Sequence, residues 1–177
     1  MVRSSLRAPY FAALLCLAPF VAHAQYAPHS LGVGPQVTSL IGTSSPMGGL
    51  SLEFSNYLES GFEFFGRVPL LIAQTPVGAD TADGAGRVFA TGASLGVRYI
   101  FIEGSVRPWV GLQVGGLVLA TRPEVRWFLG AGATVGLDWV LTESWSVGAR
   151  GLYDVYVDLN RPWRHQLGGT LNVSVLF

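Results

Sequence analysis

From residue 31 to residue 177, apolar side chains alternate one for one with small or polar ones in eight successive runs, a period that specifies strands and leaves no helical pattern. The clearest run sets Trp127, Leu129, Ala131, Ala133, Val135, Leu137 and Trp139 on one parity and Phe128, Gly130, Gly132, Thr134, Gly136 and Asp138 on the other. The same alternation predicts strands over 31–41, 50–58, 62–72, 89–101, 106–118, 145–156 and 170–177. Glu59-Ser60-Gly61, Glu103-Gly104-Ser105 and Thr142-Glu143-Ser144 have turn composition, whereas 73–87, 121–126 and 158–165 lack periodicity and read as longer loops. Proline cannot donate to a ladder, so Pro35 reads as a bulge or a late strand start, and Pro69 is a second interruption of the same kind. A last strand without a following turn leaves an open edge, and pairing it with the strand at 31–41 removes that edge.

Alternation alone does not say which face points inward. Half of the chain is hydrophobic but only 12% is charged, about half the usual share for a soluble domain. All 11 basic residues are Arg. The less apolar face carries mostly Gly, Ser and Thr, with Glu53, Glu63, Asp138 and Asp154 against Arg67, Arg98, Arg107 and Arg150. A solvated face would carry many more charges, whereas small residues and sign-matched ions suit a narrow interior. The apolar parity therefore faces lipid. Trp127 and Trp139 share that parity, and twelve residues at about 3.3 Å each, tilted near 40°, rise roughly 30 Å between the interfaces of a bilayer. The reading is an all-β fold: an eight-stranded antiparallel up-and-down transmembrane β-barrel with a polar, ion-paired lumen. One end gathers Phe62, Phe64, Tyr99, Phe101, Trp139, Trp145 and Phe177, and the other gathers the three longer loops.

Residues 1–24 have the form of a cleaved secretory signal peptide. Arg3 and Arg7 precede an apolar core from Phe11 to Val21, too short to span and broken by Pro19, and Ala22-His23-Ala24 closes it as a small-x-small cleavage site. Cys16 lies in this segment behind Leu15, which does not suit a lipoprotein signal, so residues 25–177 are expected to form one domain with no disulfide, thiol chemistry or lipid anchor. Formal charge is zero for the whole chain, and losing the two signal arginines leaves the remainder slightly acidic, which gives no footing for nucleic acid.

These features together resemble the small outer-membrane β-barrels of Gram-negative bacteria, the OmpA/OmpX-like eight-stranded superfamily. The residues that carry the resemblance are the signal peptide, Arg107-Pro108-Trp109-Val110-Gly111 opening a middle strand, Leu141-Thr142-Glu143-Ser144-Trp145 in a short turn, and the terminal Phe177. The resemblance implies export through the Sec pathway and a multi-pass barrel in the outer membrane, with short turns in the periplasm and long loops outside. It also implies periplasmic chaperones and the barrel-assembly machinery as partners, the latter reading Leu171, Val173, Val175 and Phe177 as its assembly signal. The chain stops at Phe177, so the peptidoglycan-binding domain of some relatives, and anchoring to the cell wall, are not expected.

Nothing in the sequence calls for a cofactor or metal. Gly130-Ala131-Gly132 with Gly136 has the wrong spacing for a phosphate loop and no following helix. Asp80 and Asp83 are too few for a strong cation site. Lipid A-modifying enzymes occur on this fold, but His165 at the rim has no Ser beside it on its face, so no catalytic site is expected. Arg122, Arg126, Arg161 and Arg164 fall at the outer rim and suit lipopolysaccharide phosphates. The expected function is a monomeric structural or surface-interaction barrel with a plugged lumen; a passive small-solute pore is the alternative.

Overall fold

The computed structural model describes residues 28–41, 46–74, 87–121, 124–158 and 161–177. The signal-peptide segment, Asp80, Asp83 and Arg122 lie outside them. Eight strands follow in order: β1 (His29–Leu40), β2 (Met47–Tyr57), β3 (Phe62–Gln74), β4 (Arg87–Ile100), β5 (Val106–Thr121), β6 (Glu124–Thr142), β7 (Trp145–Asp158) and β8 (Arg161–Leu176). Each pairs antiparallel with its neighbours, and β8 returns to β1 to close the barrel.

Closure is made by the backbone. At one end His29 and Phe177 exchange amide-to-carbonyl hydrogen bonds of 3.1 and 3.0 Å, and at the other the Ile41 amide donates to the His165 carbonyl at 2.7 Å. Following paired residues once around the barrel, from Val125 through Ala120, Phe89, Ile72, Gly48, Val37, Gly169 and Gly151, returns to β6 at Val135, ten residues further on. A stagger of that size over eight strands tilts them by about 40° and leaves an interior only wide enough for side chains.

The two faces follow the sequence parity. Leu112, Trp127 and Leu129 are more than 70% exposed on the outside, whereas Ser55 and Leu71 are fully buried within. Trp127 and Trp163 mark the loop end of the outer surface, and Phe62, Trp139, Trp145 and Phe177 the turn end. That arrangement is an apolar band between two aromatic girdles. No helix among the described residues is long and apolar enough to cross a membrane; any crossing is made by strands.

Several boundaries differ from the sequence reading. Strand β6 begins at Glu124 and β8 at Arg161, so most of 121–126 and 158–165 is ladder rather than loop. Neither proline makes a bulge. Pro35 stays in register opposite Leu50 and Pro69 opposite Ser51; on their other sides the pairing skips two positions and resumes unshifted. The register shifts instead near the ends of β6 and β7, between Val140 and Thr142 and between Tyr156 and Asp158.

Geometry requires glycine at a turn and at the seam. Gly61 follows Ser60 through the β2–β3 turn with both residues at positive φ, 81° and 73°, a conformation that suits Gly and strains other residues. Gly34 lies at the seam, where a Cβ would collide with the backbone of Leu171 and Asn172. Gly34→Val is therefore expected to keep β1 from closing on β8, seen as loss of the fast-migrating unboiled band on a gel, while Gly48→Val, at a position with open space around it, retains that band. Leu112→Arg, on the outward face in the middle of β5, should lower unfolding free energy in lipid by about 2–4 kcal/mol, measured by denaturant titration of refolded protein.

Candidate functional site

The lumen is the chemically distinctive part of the molecule, and its contents change along the barrel. Read from the turn end, the inward residues of β3 are Glu63, Phe65, Arg67, Pro69, Leu71 and Ala73, and those of β5 are Arg107, Trp109, Gly111, Gln113, Gly115 and Leu117. Both strands go from charge and aromatic rings, through polar groups, to aliphatic residues.

The first level is an ion cluster built around Glu53. Its carboxylate accepts from both terminal nitrogens of Arg150, one contact being 2.5 Å, and from Arg98 Nη1 at 3.1 Å. Arg98 Nε donates to Glu63 Oε2 at 2.7 Å, and Arg98 Nη2 lies 3.8 Å from Asp138 Oδ2. Glu63 also accepts from Ser55, which is 2.5 Å from Ser30 Oγ. Arg98 and Arg150 are 5% and 3% exposed by side chain, so these bonds take the place of water.

Aromatic rings hold the guanidinium groups in place. The Arg98 and Arg150 guanidinium carbons lie 4.7 and 5.0 Å from the Trp109 ring centre and 5.8 and 5.6 Å from that of Phe65, within cation–π range. Trp109 Nε1 donates to Asp138 Oδ2 at 2.8 Å, so the ring is anchored by a member of the cluster it supports. Both rings need room that their cross-strand partners provide: Trp109 pairs with Gly136 and Phe65 with Gly96, and a Cβ on either glycine would strike the ring.

The second level holds Arg67 and Asp154, whose Nη2 and Oδ2 are 3.8 Å apart, and Gln113, which donates to Asp154 Oδ1 at 2.5 Å. At the loop end the interior turns apolar. Leu40, Met47, Leu71, Ala73, Ala90, Leu117, Phe128 and Tyr156 pack into one buried cluster.

No protein-family model matches the chain, and no match is found among curated proteins. Solved structures do match. Neisserial surface protein A is 16% identical with a TM-score of 0.56, the alignment covering 84% of this chain and 96% of that one. The outer membrane protein OprG of Pseudomonas aeruginosa is 11% identical with a TM-score of 0.55, over 87% and 98%. Ail, the attachment invasion locus protein of Yersinia pestis, solved with the heparin analogue sucrose octasulfate, is 13% identical with a TM-score of 0.54, over 84% and 97%. The fold is that of the small outer-membrane β-barrels.

Within that barrel, the structure distributes the sequence-selected residues as follows. Glu53, Glu63, Asp138, Arg98 and Arg150 converge on the ion cluster, and Arg67 and Asp154 meet one level above it. Arg107 sits at the turn end, where its Nε donates to the Gly104 carbonyl at 3.1 Å. Leu171, Val173, Val175 and Phe177 all face outward along β8, and the Phe177 ring lies 5.9 Å from that of His29. Arg126, Arg161 and Arg164 stand in strands, not loops. Arg126 and Arg164 have inward parity at the loop end, Arg164 as the cross-strand partner of Tyr156.

Three features escaped sequence reasoning. The Trp109–Phe65 support was signalled only by inward rings facing inward glycines. The apolar filling was signalled by Leu71, Leu117 and Phe128 on the otherwise polar parity. The third is a pair on the outer face: Tyr153 Oη and His165 Nδ1 are 2.7 Å apart, so each satisfies the other where the barrel faces lipid.

Glu53→Gln removes the carboxylate shared by two buried guanidinium groups and should lower unfolding free energy by about 3–5 kcal/mol. Adding Arg150→Met should recover part of the loss, with a coupling of about 0.5–3 kcal/mol in a double-mutant cycle read from denaturant unfolding.

Proposed function

We propose that this chain is an integral outer-membrane barrel that acts through its surface and its outer rim, with a lumen closed to solutes and no catalytic role. The observation that carries this reading is the pairing of an apolar outer band, bounded by aromatic residues at both ends, with a bore occupied first by an ion cluster and then by packed aliphatic side chains. The first feature suits a bilayer. The second supports a lumen without a continuous aqueous path. Cleavage after Ala24, Sec export, delivery by periplasmic chaperones, recognition of Leu171, Val173, Val175 and Phe177 by the assembly machinery, and a monomeric final state complete the proposal.

At the outer mouth the reading is contact with anionic surface glycolipid, lipopolysaccharide above all, through Arg122, Arg126, Arg161 and Arg164. Arg is suited to phosphate and sulfate because its guanidinium offers paired donors. The structure of the similarly folded Ail with a sulfated heparin analogue supports testing polyanions at this rim.

Cell fractionation should place the chain in the outer membrane as a species whose gel mobility changes on boiling; a soluble periplasmic product would sink the reading. In planar bilayers the wild type is expected to give no steady conductance, and open events of constant size would favour the pore. Changing Arg126 and Arg164 together to Gln should weaken retention on immobilised lipopolysaccharide several-fold and make its loss with salt shallower, with unboiled mobility unchanged.

A further inference from the structure

The hydrogen bond between Tyr153 and His165 on the outer face leaves one donor over. Even with the imidazole neutral, the pair carries two polar hydrogens, one phenolic and one on the ring, and a single bond between them uses only one in either tautomer. Neither side chain makes a further hydrogen bond among the described residues. Both have outward parity, with apolar Val155 and Leu167 as their cross-strand partners. The remaining donor therefore faces lipid, where a hydrogen bond left unmade is costly.

Depth identifies the acceptor. His165 is two residues from Trp163 along the outward side of β8, which sets it about 5 Å inside the loop-end girdle at roughly 2.5 Å of height per residue. There hydrocarbon gives way to headgroup, and the carbonyl oxygens of the acyl linkages are the acceptors that a lipid offers. Below the pair the outer surface is grooved. Tyr153 and Leu167 stand at the β7–β8 end of a groove of about 650 Å³, bordered by Leu112 and Val135, in which Ala133 and Gly151 are the small members. Ala133, the cross-strand partner of Tyr153, lies midway between Trp127 and Trp139, so the groove leads from beneath the loop-end interface to the middle of the apolar band.

We propose that Tyr153 and His165 hold the acyl linkage of one lipopolysaccharide molecule and that one of its chains lies in the groove beneath them, resting on the reading that the loop end is the outer one. The groove is of the size of small-ligand sites, and its apolar lining gains from covering by a hydrocarbon chain. Arg164, one residue along from His165, belongs to the rim already assigned to phosphate. A molecule that carries phosphates and acyl chains together matches both features, the rim binding its charged part and the groove selecting it by its chains.

The test uses the full chain refolded in deuterated detergent, with Ala and Leu methyl groups labelled for solution NMR, and titrates in lipopolysaccharide. The Ala133 and Leu167 methyls should shift and saturate as a single site, while Leu52, exposed on β2 across the barrel, stays in place. Tyr153→Phe with His165→Phe removes both donors and keeps both rings; it should raise the half-saturating concentration roughly 3- to 10-fold. Gly151→Leu should abolish the Ala133 response by filling the groove. Unboiled gel mobility shows that each variant has folded. Equal shifts at all outward methyls would mean annular lipid only, and shifts that follow protein concentration without lipopolysaccharide would mean a second copy in the groove. Either result overturns the proposal, as does equal affinity for phosphatidylethanolamine or wild-type affinity in the double Phe variant. A silent Ala133 in the wild type, with retention on lipopolysaccharide still lost in the Arg126→Gln, Arg164→Gln variant, would sink the groove and leave the rim reading standing.

Discussion

Every backbone amide and carbonyl that enters hydrocarbon must find its partner within the protein, and for strands only a closed ladder provides this. The joining of β1 to β8 is the step that satisfies the condition here. It explains why Gly34 has no side chain at the seam, and why both prolines keep their register although each breaks a ladder on one side. It also sets the stagger of ten residues, and through it the width of the bore.

A bore of that width has room for little beyond side chains, and those present are matched by volume as much as by polarity. Trp109 and Phe65 occupy the space that Gly136 and Gly96 leave, and the rings in turn brace Arg98 and Arg150 against Glu53. A buried ion cluster is weak evidence of stability, because desolvation offsets much of its attraction. Its better-supported role is to fix one arrangement: Glu53, between two guanidinium groups that are each fixed by rings, has few alternatives. Above it the polarity declines in steps to Leu71, Leu117 and Phe128, so the interior is graded along its axis and not uniformly polar.

The period of two made the eight strands and the sidedness of nearly every residue legible, because in the bilayer one face must be apolar and the other must fit a narrow lumen. The same logic explains where the reading failed. At Glu124–Arg126 and Arg161–Arg164, toward the loop end, the alternation of apolar with small residues fades while the ladder continues. The ion-cluster residues could be named from parity and sign. Which acid meets which base could not, since Glu53 and Arg150 lie far apart in sequence and come together only through the closure. Arg67 illustrates the limit: it is the cross-strand partner of Glu53, yet Glu53 is held by Arg150 and Arg98 instead.

The seam between β1 and β8 also governs the order of events in folding. Its contacts join the strands farthest apart along the chain, and contacts of large sequence separation form late because loop closure must come first. Until β8 meets β1, the hairpins from β1–β2 to β7–β8 form a curved sheet with two free edges and an apolar convex face. Such a species is prone to pair with its own copies. The apolar outer surface that makes the finished barrel stable in lipid thus makes the unfinished one a hazard in water, and the exchange of hydrogen bonds between His29 and Phe177 is where that hazard ends.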